Sequence, residues 1–213
     1  MKKILTVPIA FSIILAGCNN VASDKFAVKK QGENEGEMVN YINEETKISN
    51  TVSIADYHVP TDLTNLEERA EFIVNVRAIQ DLGDDVVNGE SLGSRKEVEV
   101  LKGYKNSLKK GDKIVIVEPA FVKDNEYYSV ESYLKMDDGK DYTLFLQKGD
   151  DENEYGVVSL AYGKYSKNEK KFNGKLSSFS LLKEAEPYNF ISDHTDEIEL
   201  YEHIEDEVNN KYN

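Results

Sequence analysis

Two hydrophobic patterns divide the chain. Ile4 to Ala16 is one mostly apolar run broken by Pro8, whereas beyond Glu71 apolar and polar residues alternate in short stretches set between turns. A two-residue period places successive side chains on opposite faces of an extended backbone, so the alternation predicts half-buried strands. Phe72, Val74 and Val76 alternate with Ile73, Asn75 and Arg77, and Val98 and Val100 alternate with Glu97 and Glu99. Ile114 to Val117 is apolar without a break and suits a strand buried on both faces. Further strands are expected over Tyr127 to Met136, Tyr142 to Leu146 and Tyr155 to Tyr165, with an earlier one over Thr46 to Ile54. Lys110-Gly111-Asp112 and Gly149-Asp150-Asp151 read as turns. Asp138-Gly139 reads as a type I′ turn pairing its flanking strands, and Asn173-Gly174 as a second, small hairpin.

Helical spacing occurs near both ends of this β region. Thr64-Asn65-Leu66-Glu67 is a capping-box pattern, followed by Leu66, Ala70 and Ile73 on one face, so a short helix is expected before the first long strand. A second helix is expected from about Asp196 to Asn210, capped by Asp193 or Thr195. Ile198, Tyr201, Ile204 and Val208 form its narrow apolar stripe and acids occupy much of the rest, so it packs on the β domain or hangs off as an arm. Together these elements predict a mainly β fold, a small antiparallel barrel or sandwich with a short N-terminal helix and a C-terminal acidic helix. The order of Ala70 to Val74, Val98 to Gly103, Gly111 to Ile114 and Tyr142 to Leu146 resembles small OB-like extracytoplasmic β-barrel domains of Gram-positive secreted proteins, over roughly residues 64 to 173. The resemblance implies a scaffold and carries no activity with it.

The leading apolar run is shorter than the roughly 20 residues a bilayer-spanning helix needs, follows Lys2-Lys3, and ends in small residues. That is the layout of an export signal. Leu15-Ala16-Gly17-Cys18 resembles the lipobox of bacterial lipoproteins, and the match holds at all four positions. The resemblance implies cleavage between Gly17 and Cys18, a thioether-linked diacylglycerol on Cys18 with N-acylation possible, and a membrane anchor on the extracytoplasmic face. Two or more acyl chains hold stably where one is marginal. The expected organisation is a cleaved signal over 1–17, a lipidated tether over 18–37, a β domain over 38–190 and the acidic helix over 191–213. A tether of about twenty flexible residues spans roughly 25 Å, enough to lift the domain off the headgroups.

Charge narrows the partners. Of 26 basic residues Lys2 and Lys3 leave with the signal, so 24 face 40 acidic ones. Such a balance argues against nucleic acid and against lying flat on anionic lipid. Cys18 is the single cysteine, so no disulfide forms within one chain and stability rests on packing and hydrogen bonds. The lysine- and asparagine-rich composition looks like that of a low-GC Gram-positive source.

Candidate chemistry is sparse. His58, His194 and His203 lie in no zinc-binding spacing, so no metal is expected there. Asp137-Asp138-Gly139-Lys140-Asp141 and Asp150-Asp151-Glu152 carry oxygen ligands, but without the twelve-residue spacing of an EF-hand they read as hairpin turns. Ser132-x-x-Lys135 falls in an expected strand, where residues three apart face opposite sides, so it is not a nucleophile and base. No catalytic residue and no cofactor is expected. Tyr127, Tyr128, Tyr133, Tyr142, Tyr155, Tyr162 and Tyr165 either line a binding face or pack the barrel. The sequence thus reads as a lipid-anchored extracytoplasmic lipoprotein that acts by binding, with a protein partner at the cell surface. The alternative is a surface lipoprotein that binds a small ligand or a cation through its acidic turns and tyrosines.

Overall fold

The computed structural model describes residues 42–50, 53–167 and 170–212. In chain order the strands are β1 (Lys47–Ile48), β2 (Phe72–Val87), β3 (Glu90–Lys105), β4 (Lys113–Glu118), β5 (Ala120–Lys123) and β6 (Glu126–Ser129), followed by β7 (Asp141–Lys148), β8 (Glu154–Val157), β9 (Lys164–Ser166), β10 (Lys170–Asn173) and β11 (Tyr188–Ser192). Helices α1 (Leu63–Arg69), α2 (Leu182–Ala185) and α3 (Thr195–Tyr212) complete the order.

Five strands close a ring in the order β2, β3, β4, β8, β7, sealed where β2 runs antiparallel to β7 from Phe72 opposite Leu146 to Arg77 opposite Asp141. β4 and β8 are parallel and the other neighbours in the ring antiparallel, which makes this an OB-like barrel. The alternation read from the sequence explains its interior. Val74, Val76, Val98, Val100, Ile116 and Leu144 are wholly buried inside, each contributing about 1.5–3 kcal/mol relative to exposure.

A second core lies on the outer wall. Ile73 and Phe145, one residue out of phase with the lining set, face α1 and α3. The expected stripe packs here, with Tyr201, Ile204 and Val208 wholly buried. The Tyr201 ring stacks against Phe190 at 4.3 Å and Tyr165 at 5.0 Å, and its hydroxyl donates to the Lys164 carbonyl at 2.8 Å. A third core joins the β5–β6 hairpin to β1, α2 and β11 around Val122, Tyr127 and Ile191.

Several local expectations change. α1 is capped by Asp62, whose carboxylate accepts the Asn65 N–H at 2.8 Å, so Thr64 sits inside the helix. β4 is fully buried on one face only, because Ile114 and Ile116 point into the barrel while Val115 and Val117 are half-buried on its wall. The strand expected over Tyr127 to Met136 stops at Ser129, where the chain turns and Glu131 and Ser132 take left-handed φ of 48° and 57°. Ser159 and Leu160, at 56° and 52°, likewise break Tyr155 to Tyr165 into β8, a 3-10 turn and β9. At Asp138-Gly139 only the glycine takes positive φ, at 82°, so the turn is not type I′, and β7 pairs with β2, β8 and β9 rather than with β6. Asn173-Gly174 is no hairpin either; it ends β10, which runs parallel to β11. Among the described residues of the expected first strand over Thr46 to Ile54, Lys47 and Ile48 form a ladder parallel to β6 and Ser53 makes a single bridge to Val130.

Candidate interaction surface

Where β2 and β3 leave the barrel they continue as a two-stranded arm. The last barrel contact of β2 is at Ala78, whose N–H donates to the Lys140 carbonyl at 3.0 Å, and the paired strands then run on to Val87 and Glu90. The arm closes at Asn88-Gly89, both with positive φ (54° and 83°), the backbone a two-residue hairpin turn requires. Among the described residues the outer part of the arm, from Val86 to Leu92, is mostly exposed. Of the seven large apolar residues that stand well exposed among the described residues, Leu82, Val86, Val87 and Leu92 lie on this arm, each 46 to 54% exposed. Sequence reasoning passed over this hairpin although its Asn-Gly signal was legible.

The root of the arm holds a buried charge network. Lys96 of β3, 2% exposed, donates to Asp138 at 2.7 Å and lies 2.9 Å from Asp81 of β2, which also pairs with Lys135 at 3.0 Å. Burial would depress the Lys96 pKa, but the two carboxylates outweigh it and hold the ammonium above its ordinary range. Burial would likewise raise Asp81, but Lys135 and Lys96 outweigh it and the carboxyl stays below the usual range. Deeper still, Glu118 is wholly buried. One of its oxygens accepts from the Tyr133 hydroxyl at 3.0 Å and the Met136 N–H at 2.8 Å. Burial drives its pKa up despite Lys164 and Lys135. The network ties β2, β3 and the turn before β7 together where the arm begins.

The residues singled out from the sequence are scattered. Gly17 and Cys18, with the signal and tether, lie outside the described residues. The acids of the first turn are spent on neighbours: Asp137 pairs with Lys140, Asp138 with Lys96, and Asp141 with Arg77 at 2.7 Å. Asp151 lies 3.7 Å from Arg95. His58 bonds Asn65 at 2.7 Å and His194 lies beside Asp193. Glu131, Asp193 and Glu197 share a cleft with Tyr57, whose pKa is pushed up to about 12 by burial and by Glu197 and Glu131. Among the described residues no group of three potential ligands is placed to hold a metal. Ser132 lines that cleft, whereas Lys135 points to Asp81 at the arm's root, so Ser132 and Lys135 do not meet. Tyr127, Tyr133, Tyr142, Tyr155, Tyr162 and Tyr165 are buried and Tyr128 half-buried, so the tyrosines pack the cores instead of presenting one open face.

A groove of about 580 Å³ follows the outer wall near the end of α3, with Tyr104, Tyr142 and Tyr212 as walls and Lys102, Lys140 and Lys167 along it. Its floor is braced by Asn75, which donates to the Tyr212 carbonyl at 2.9 Å and accepts from Thr143 at 2.9 Å. Set against known proteins, the chain matches no family, and no curated protein is significantly similar to it.

Proposed function

We propose that this protein is a lipid-anchored extracytoplasmic lipoprotein that works as a non-catalytic interaction module at the bacterial cell surface. The observation that carries the binding part is the projecting arm, which keeps four aliphatic side chains in water on an otherwise well-packed domain. Exposed aliphatic side chains gathered on one projection mark it as a candidate interaction site. The anchoring part rests on Lys2-Lys3, the short apolar run and Leu15-Ala16-Gly17-Cys18. Lipid on Cys18 and a tether would present the acidic domain away from the anionic surface. Metabolic labelling with a fatty acid, followed by membrane fractionation, tests the anchor. Cys18→Ala should lose the label and leave the membrane fraction; undiminished membrane association of that variant would refute the reading. For the alternative of a small-ligand protein the specific support is the tyrosine-walled groove, whose lysines suit an anion rather than a cation.

A further inference from the structure

We infer that the arm docks, side chains first, into an apolar groove on a protein partner whose rim carries lysine or arginine; the inference rests on the reading of the chain as an interaction module. Three features of the arm select this occupant over the others an exposed hairpin could meet.

The first is its bulges. Ile79 and Leu82 are extra residues on β2, and Leu92 is an extra residue on β3, as the register shifts show. A bulge leaves its residue outside the ladder, bends the strand and tightens its twist, which spoils the edge as a template for an added strand. Two of these three bulged residues, Leu82 and Leu92, are among the exposed aliphatics. The arm therefore offers side chains rather than a regular backbone edge.

The second is charge. From Ala78 to Ser94 the sequence holds Asp81, Asp84, Asp85 and Glu90 and no lysine or arginine. Lys96 and Lys135 neutralise Asp81 at the root, which leaves Asp84, Asp85 and Glu90 around the apolar tip. In a bilayer the cost of burying Asp84, Asp85 and Glu90 exceeds what four aliphatic side chains gain by insertion. A second copy would set like charges against like. A basic rim around an apolar groove satisfies both kinds of side chain.

The third is a fixed root. The network of Lys96, Asp81, Asp138 and Lys135 holds the base of the arm to the barrel, so the direction in which the tip is presented is set before docking.

The test places the photocrosslinking residue benzoylphenylalanine at position 86, or separately at position 202 on the exposed face of α3, in the full-length chain in its native membrane. Position 86 is expected to yield a protein adduct whose crosslinked peptide contains aliphatic residues flanked by lysine or arginine. Leu92→Asp, and separately the pair Asp84→Lys and Glu90→Lys, should each lower that adduct about tenfold, the loss of one anchoring contact of roughly 1.4 kcal/mol, with the far-UV circular dichroism unchanged. Adducts of position 86 with phospholipid, with a second copy of this chain, or with an acidic partner segment would overturn the inference. So would undiminished crosslinking by both sets of variants. Crosslinking to a partner from position 202 alone would keep the module and dismiss the arm, whereas no protein adduct from either position would dismiss both.

Discussion

Lys96 is an uncommon residue to find almost wholly buried on a barrel strand, and its surroundings say why it is tolerated. Its ammonium has Asp81 and Asp138 within 3 Å, so the charge is compensated where it is desolvated. Removing one partner of such a set is worse than never having built it, because the other charges stay buried. Lys96→Met should therefore destabilise the domain by about 3 kcal/mol in urea unfolding, and Asp81→Asn should cost less in that background than in the wild-type chain, since Lys135 alone then loses a partner. Equal, additive losses would mean that the two groups are not coupled. The pH dependence follows from the directions of the shifts. Asp81 is held below its unfolded value, so its contribution is present above that value and is lost as pH falls through the lower folded one. Lys96 is held above its unfolded value, so its contribution is complete below that value and is lost as pH rises through the higher folded one. Between these limits Asp81 and Lys96 add no pH dependence of their own, whereas Glu118, whose carboxyl pKa burial raises, should cost stability as pH climbs from its unfolded value toward the higher folded one, and urea midpoints should fall on its account.

At the scale of elements the arm and the barrel are built by different rules. Every barrel strand buries the face that lines the interior, and β3 buries little else, which is why Val98 and Val100 announced themselves through alternation and why the stripe of α3 was legible before its partners were known. The arm buries neither face. Its β2 segment reads Asp81-Leu82-Gly83-Asp84-Asp85, with a bulge at Leu82 and positive φ at Gly83, and such a segment looks like a loop to any test of periodicity. Only Asn88-Gly89 betrays it. The breaks at Glu131-Ser132 and Ser159-Leu160 were hidden for the converse reason: left-handed φ at residues with side chains is imposed by the surrounding packing, not by local preference. The parallel pairing of β4 with β8 joins segments separated by three other strands and has no local signature. Because the arm hangs outside the cores, its stability should be local. Gly89→Ala forces a methyl group into φ of +83° and should cost about 1 kcal/mol. Hydrogen exchange should show arm amides losing roughly fivefold in protection while Val74 and Val98 in the barrel keep theirs. A matching loss in the barrel would mean that arm and barrel open together.

For the molecule as a whole, charge sets two opposing demands. With 40 acidic residues against 26 basic ones the compact state repels itself, yet the pairs at Lys96 and at Lys171 with Glu205 draw parts of it together. Distance and burial decide how salt affects each. Raising ionic strength from about 10 to 150 mM shortens the screening length from roughly 30 to 8 Å. That weakens repulsion between exposed acids spread over the surface, but hardly touches partners about 3 Å apart inside the protein. Net repulsion should therefore lose more than the buried pairs, and the melting temperature should rise with sodium chloride over this range. Binding through the arm should respond in the opposite sense, because the attraction between Asp84, Asp85 and Glu90 and a basic rim acts across water before contact, so association slows as salt is added. The two measurements on one protein separate folding from docking. A melting temperature that fell with salt would place the paired networks above surface repulsion as the dominant electrostatic influence on this fold.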